Sequence, residues 1–109
     1  MPHLRFRGLK KEEVMEVSVD LIDKLALAMD SSKAHFTIEY IPSIYILDGK
    51  ESVTNHVFVE MLWFSRSDKT KQSVANIITD FLSKYNYENI AVYFIDMEKE
   101  NYFKNGTHF

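Results

Sequence analysis

Two kinds of hydrophobic spacing alternate along this chain. His3, Arg5 and Arg7 alternate with Leu4 and Phe6, the period-two pattern of a strand with one polar side. From Lys11 to Met29, Val14, Val17, Leu21, Leu25 and Ala28 recur at spacings of three and four, with Glu12, Glu16, Asp20 and Asp23 opposite. That spacing predicts an amphipathic helix. Asp30-Ser31-Ser32 ends it, and His35 to Ile41 reads as a second strand halted by Pro42. Tyr45-Ile46-Leu47 gives a short third strand before a turn at Asp48-Gly49, and the polar stretch Lys50 to His56 reads as a loop. Val57 to Phe64 is a nearly continuous apolar run, as expected of a strand covered on both faces. Asp68 is the expected N-cap of a second helix, in which Val74, Ile77, Ile78, Phe81 and Leu82 make one stripe. Ile90 to Ile95 is a further strand, and Tyr102-Phe103 precedes a turn at Asn105-Gly106.

The second half repeats the first. A constant shift of 57 pairs Val17 with Val74, Asp23 with Asp80, Leu25 with Leu82, Ile38 with Ile95, Tyr45 with Tyr102 and Gly49 with Gly106. One register holding through strand, helix, strand and turn predicts an internal duplication. At 109 residues the chain reads as one domain, with repeat one at about 2–49, a loop at 50–56 and repeat two at about 57–109. Each repeat is a β-α-β unit, whose strands must run parallel through a right-handed crossover. The expected fold class is α/β, with a four-stranded mixed sheet and both helices on one face. Leu4, Phe6, Val59, Met61 and Trp63 would meet the helices, and His3, Arg5, Arg7, Glu60, Leu62 and Phe64 the other side. That second face mixes charge with large apolar groups, so self-association is expected to cover it.

Composition narrows the function. Hydrophobic residues are 46% and aromatics 14%, enough for a packed core and too many for disorder. A net charge of −3 argues against nucleic-acid binding, which needs clustered cations. No apolar run reaches the roughly 18–20 residues of a membrane span, and the N-terminus lacks the apolar core of a signal peptide. The absence of cysteine removes disulfides, a thiol nucleophile and thiolate metal sites, and makes the cytoplasm the expected location. His3, His35, His56 and His108 show no metal-ligand spacing, and three scattered glycines make no phosphate loop. No cofactor is expected. Arg5 and Arg7 read as partners of Glu60 in an ion pair inside an oligomer.

The start Pro2-His3-Leu4-Arg5-Phe6-Arg7, the strand Val59-Glu60-Met61-Leu62-Trp63-Phe64, the end Gly106-Thr107-His108-Phe109 and the duplication together carry a resemblance. Over its whole length the chain resembles the tautomerase superfamily, in a bacterial branch of the arm that includes macrophage migration inhibitory factor. The combination, and no single short motif, is specific. Met1 precedes a small residue and is expected to be removed, leaving Pro2 as the N-terminus. The resemblance implies that the Pro2 amine is a general base for keto–enol proton transfer. A free α-amino group titrates near ~8, and an apolar pocket or nearby cation lowers that value toward neutrality. It also implies Lys33 or Arg66 as the cation holding a substrate carboxylate, Phe64 as an apolar wall, and Tyr93 as a group supplied by a neighbouring subunit. Each has a plainer reading: Lys33 and Arg66 as solvated loop cations, Phe64 as core, Tyr93 as a sheet residue with its hydroxyl in water.

The related short tautomerases carry an arginine near the start of the first helix and another near the second strand. Here those stretches read Lys10-Lys11-Glu12 and Lys33-Ala34-His35. A small α-keto monocarboxylate with an aryl or alkyl tail fits better than a dicarboxylate. The resemblance further implies a homotrimer in which Tyr45-Ile46-Leu47 or Tyr102-Phe103 extends a neighbour's sheet. Two alternatives stand beside the enzyme: a non-catalytic trimeric interaction module of the same fold, and a ferredoxin-like ligand-sensing domain.

Overall fold

The computed structural model describes residues 2–52 and 56–108. Met1, whose removal the sequence reading invokes, residues 53–55 of the expected loop, and Phe109 of the C-terminal motif lie outside the described residues. The chain runs β1 (His3–Arg7), α1 (Lys11–Met29), a 3-10 turn (Lys33–His35), β2 (Thr37–Tyr40), β3 (Tyr45–Leu47) and β4 (Lys50–Ser52). It continues through β5 (His56–Trp63), α2 (Asp68–Ser83), β6 (Asn89–Asp96), a second 3-10 turn (Lys99–Asn101), β7 (Phe103–Lys104) and β8 (Thr107–His108).

The main sheet has the order β2-β1-β5-β6. β1 runs parallel to β2 and β5 to β6, and the two central strands are antiparallel, with His3 opposite Leu62 and Arg7 opposite Phe58. Each β-α-β unit therefore keeps its two strands adjacent. That excludes the ferredoxin-like alternative, in which a strand of the other unit splits each pair.

Leu4, Phe6, Val57, Val59, Met61 and Trp63 are buried against Val14, Val17, Leu21 and Leu25 of α1 and Val74, Ile78 and Leu82 of α2. Both apolar stripes face the same side of the sheet, as the periodicity requires. The stripe on α1 drifts at its end: Ala26 and Met29 are buried, while Ala28 is only half-buried. β5 alternates, with Phe58, Glu60 and Leu62 on a face left partly open in the single chain. Its apolar run therefore does not mark a strand covered on both sides by this chain.

Local chemistry corrects three further expectations. The N-cap of α2 is Ser67, whose hydroxyl accepts the Thr70 amide at 3.2 Å, and Asp68 is the first helical residue. Residues 33–35 wind into a 3-10 turn capped by Ser32, so the second strand starts only at Thr37. Lys50–Ser52 is a strand, paired antiparallel with β3 across Asp48-Gly49. Asp48 and Gly49 have φ values of 53° and 76°, and Asn105 and Gly106 have 54° and 77°. Two consecutive positive φ angles in a two-residue hairpin match the right-handed twist of the flanking strands. The same turn closes both repeats.

Gly8 is held by a close approach. Its φ is +88°, and a Cβ there would lie 2.1 Å from the His56 carbonyl oxygen and 2.8 Å from the Tyr45 hydroxyl. Gly8→Ala is expected to lower stability by roughly 1–3 kcal/mol from backbone strain alone, with more from the clash. Urea denaturation reads the loss, and an unchanged midpoint would contradict the packing.

The turn after α2 is clamped onto α1. Tyr85 donates its hydroxyl proton to Glu16, and Tyr87 donates to Glu13, whose carboxylate also accepts the Lys10 amide at 2.9 Å. Burial, then the Glu13 hydrogen bond, pushes the Tyr87 phenol up to about 12. A raised phenol favours the neutral form in the fold. Its contribution is intact below the ordinary value near ~10 and is lost as pH climbs through about 12. Tyr87→Phe is expected to lower stability at pH 7 by roughly 1 kcal/mol and to remove one of the two latest steps of an alkaline phenolate absorbance titration, the other being that of Tyr85, whose phenol is pushed up further by burial and the Glu16 hydrogen bond. Retention of both steps would assign neither to Tyr87.

Candidate functional site

The pairing of β1 locates the N-terminus. His3 stands beside Thr37 on one side and Leu62 on the other, so Pro2 lies where β2 begins and β5 ends. Pro2 is buried, and its carbonyl accepts the Thr37 amide at 3.1 Å. β6 ends at the same level: Asp96 pairs with Trp63, and the Met97 amide donates to the Trp63 carbonyl at 2.7 Å. One end of the sheet thus gathers Pro2, the 33–35 turn, the segment after β5 and the segment after β6.

Lys33 and Arg66, the two predicted cations, differ in what they meet there. Lys33 is exposed and its ammonium pairs with Asp23 of α1 at 3.1 Å. Arg66 is half-buried and turns back to donate from Nη1 to the Phe64 carbonyl at 2.9 Å. Phe64 lies one residue past β5 and packs edge-on against Tyr102, with ring centroids 5.5 Å apart. The Lys99 ammonium sits 5.8 Å from the centre of the Phe64 ring. Sequence reading missed Lys99, and it noted Tyr102 only as part of a short strand. Their approach to Phe64 comes from the path of the chain after β6, which no local spacing encodes.

Tyr93 lies apart from this group. It lies midway along the edge strand β6, paired with Glu60 on the open face, and is 61% exposed. The sheet end therefore brings together Pro2, Phe64 and Arg66 with the turn that carries Lys33, and leaves Tyr93 out within one chain.

The open face around Tyr93 is electrostatically ordered. His3 Nε2 lies 3.0 Å from Glu39 Oε1 and His3 Nδ1 2.6 Å from Thr37 Oγ1. With Nε2–H donating to the carboxylate, Nδ1 accepts from the hydroxyl. Arg5 adds a second contact to Glu39 at 3.4 Å, and the His3 hydrogen bond leads in holding the Glu39 carboxyl below its usual value. Arg7 pairs with Glu60 at 2.9 Å, in line with the sequence expectation for Arg7, whereas Arg5 takes Glu39 in place of Glu60.

An open groove of about 650 Å³ runs along the last turns of α1 to the 33–35 turn, with Asp23, Ala26, Leu27, Asp30, Ser32 and Lys33 in its walls. Neither Pro2, Phe64, Arg66 nor Tyr93 lines it. Among the described residues no three of histidine, aspartate and glutamate come together as a metal site requires, and no helix is long and apolar enough to cross a membrane.

This architecture is a tautomerase-like fold. The chain is similar to a macrophage migration inhibitory factor-like protein from Entamoeba histolytica, with a TM-score of 0.75 at 15% identity over 99% of this chain and 98% of that one. It is similar also to a fused 4-OT solved as an asymmetric trimer, with a TM-score of 0.79 at 13% identity over 97% and 94% of the two chains. At such identities the likeness establishes the fold. Within it, the chain belongs to the family described as a domain of unknown function, DUF1904, which matches residues 1–108. A DUF1904 protein from Sebaldella termitidis has a TM-score of 0.95 at 32% identity, over all of both chains. Among curated proteins, none matches the sequence.

Proposed function

We propose that the mature protein is a cytoplasmic homotrimeric tautomerase, in which the Pro2 amine moves a proton between the α-carbon and the oxygen of a small α-keto monocarboxylate. The observation that carries this reading is the placement of Pro2, at the sheet end that also holds an aromatic pair and basic side chains. Removal of Met1 would expose a secondary amine beside Trp63 and Phe64. Apolar neighbours and cations both disfavour its protonated form, which keeps a general base available near neutral pH. The base takes the proton from carbon, a cation steadies the carboxylate and the developing enolate, and the same proton returns to oxygen.

The trimer rests on what the single chain leaves uncovered. Ile44, Ile46, Leu47 and Phe103 are 61–69% exposed on the two hairpins that follow the repeats. Two-stranded hairpins are marginal by themselves, and the radius of gyration, 14.9 Å, exceeds the roughly 13 Å of a compact chain this long. A neighbour's sheet edge is the natural cover, and it would bring Tyr93 of one chain toward Pro2 of the next. Light scattering is expected to give three times the 12.8 kDa chain mass, and a double change Ile46→Lys, Leu47→Lys to give monomer. A stable wild-type monomer would remove the composite pocket.

The competing reading, a non-catalytic trimeric module, draws on Lys33 being occupied by Asp23 and on the groove that excludes Pro2. The test is direct. Mass spectrometry establishes whether Met1 is absent, and ketonisation of an enol α-keto acid is then followed for the wild type and Pro2→Ala. Equal rates would favour the module.

A further inference from the structure

The duplication supplies a control for the outer faces of its two helices. Under the shift of 57, α1 begins at Lys11 where α2 begins at Asp68, and Val17, Leu21 and Leu25 match Val74, Ile78 and Leu82, all of them buried. On the outside the two copies diverge. One row at a spacing of four reads Lys11, Met15, Val19, Asp23 and Leu27 on α1, and Asp68, Gln72, Asn76, Asp80 and Lys84 on α2. Met15, Val19 and Leu27 are 65%, 70% and 83% exposed, whereas the Gln72 amide donates to Asn76 at 3.1 Å in an ordinary solvated pair. Ile22 and Ala26 continue the α1 row toward the core, and their counterparts on α2 are Thr79 and Ser83. Two helices with the same inner stripe and the same exposure to water would both be polar outside. Only α2 is, so the α1 row has another neighbour.

We propose that this row of α1 is a contact between two copies of the chain, packed antiparallel about a two-fold axis that passes between Val19 and Ile22. Shape and charge both favour a second copy as the neighbour. About that axis Met15 of one copy stands opposite Ala26 of the other, at the groove of about 650 Å³ that Asp23, Ala26, Leu27, Asp30 and Lys33 line. An unbranched thioether side chain fills such an irregular hollow well, and the two-fold makes the insertion reciprocal. The ends of α1 also differ in sign. The first turn region carries Lys10, Lys11 and Glu12, with Glu13 turned to Tyr87, and the other end carries Asp30 with no basic side chain in the last turn. Antiparallel packing sets the Lys11 end of one helix beside Asp30 of the other and opposes the two helix dipoles, whereas parallel packing sets like ends together. Such a contact closes on itself and does not propagate into a filament. One helix face buries less than the roughly 800 Å² per partner of a standard interface, so the contact is weak and leaves the mass in dilute solution to the ring.

The chain has no cysteine, so a single introduced thiol reports the contact without background. Val19→Cys and its matched control Asn76→Cys are treated as full-length proteins with a short bis-maleimide, and covalent dimer is read on a denaturing gel. Val19→Cys is expected to cross-link about tenfold faster than Asn76→Cys, the factor that roughly 1.4 kcal/mol of contact supplies. Adding Met15→Lys, a change at an exposed position, is expected to bring the rate down to that of the control. Adding Lys11→Glu is expected to slow it, and Lys11→Glu together with Asp30→Lys to restore it, a rescue that a folding defect would not give. Equal rates for Val19→Cys and Asn76→Cys, or a rate indifferent to Met15→Lys, would overturn the proposal and leave the row to a different protein. The contact needs neither Pro2 chemistry nor the ring, so the pattern is expected to persist with Ile46→Lys and Leu47→Lys. Its loss there would place the row inside the ring and overturn a contact made by α1 alone. A monomeric mass in dilute solution with the cross-linking pattern intact would remove the trimer and keep this contact.

Discussion

Pro2→Ala is expected to slow ketonisation of an enol α-keto acid by about a hundredfold or more, the lower range for removal of a positioned general base. On the proposed mechanism the loss should appear in kcat, because there the ring amine would act on the proton in flight, while binding of the carboxylate would depend on side chains elsewhere. The fold gives little reason for a structural explanation of such a loss. Pro2 contributes its carbonyl to the sheet, accepting from the Thr37 amide, and alanine supplies the same carbonyl. Circular dichroism of the variant should match the wild type, and the urea midpoint should fall only slightly, by the lost burial of the Pro2 ring. A rate within a factor of two of wild type would remove proline from the mechanism.

Trp63→Ala is expected to lower stability by about 3–5 kcal/mol, the usual range for a large aromatic deleted from a packed core. Trp63 is fully buried, its ring centroid lies 4.6 Å from that of Phe94, and its Nε1 donates to Asp96 at 2.9 Å. Against a typical total of about 5–15 kcal/mol, such a loss takes most of the margin of a small domain. Trp63→Phe fills most of the volume but drops the hydrogen bond, and is expected to lose about 1–2 kcal/mol. Urea unfolding at neutral pH measures both. Because Trp63 ends β5 beside Pro2, the alanine variant should also lower activity under conditions where it is folded. An alanine variant within 1 kcal/mol of wild type would show that this side chain does not hold the sheet end.

Both helices, the polarity of β1 and the doubling were legible in sequence because each rests on a period. Val14, Val17, Leu21 and Leu25 mark the inner side of α1 whatever surrounds it, and Val74, Ile78 and Leu82 do the same for α2. The repeat was legible because a constant register survives through strand, helix and turn, and the paired φ values at Asp48-Gly49 and Asn105-Gly106 are its structural counterpart. Lys50–Ser52 was not legible as a strand. Three polar residues carry no strand pattern, and only the turn at Asp48-Gly49 folds them against β3. For the site, Pro2, Lys33, Phe64 and Arg66 were named through family resemblance, and the pairing of β1 sets Pro2 at the end where β2 begins and β5 stops.

Other relations were never in the sequence. The clamp of Tyr85 and Tyr87 on α1 joins residues about seventy positions apart, and the approach of Lys99 to Phe64 joins segments that follow different strands. By itself the sequence determined the alternation of strands and helices, the side each helix buries, the parallel course of each unit and a proline as second residue. Only the tertiary structure decided that β2 flanks β1 directly, that Asp23 occupies Lys33, and that Lys99 stands over the Phe64 ring. The reason is the range of the forces involved. Periodicity records which side of an element meets the core, since apolar burial acts on every turn alike. The position of one charge relative to another depends on how elements from distant parts of the chain come to rest, and no local pattern carries that distance.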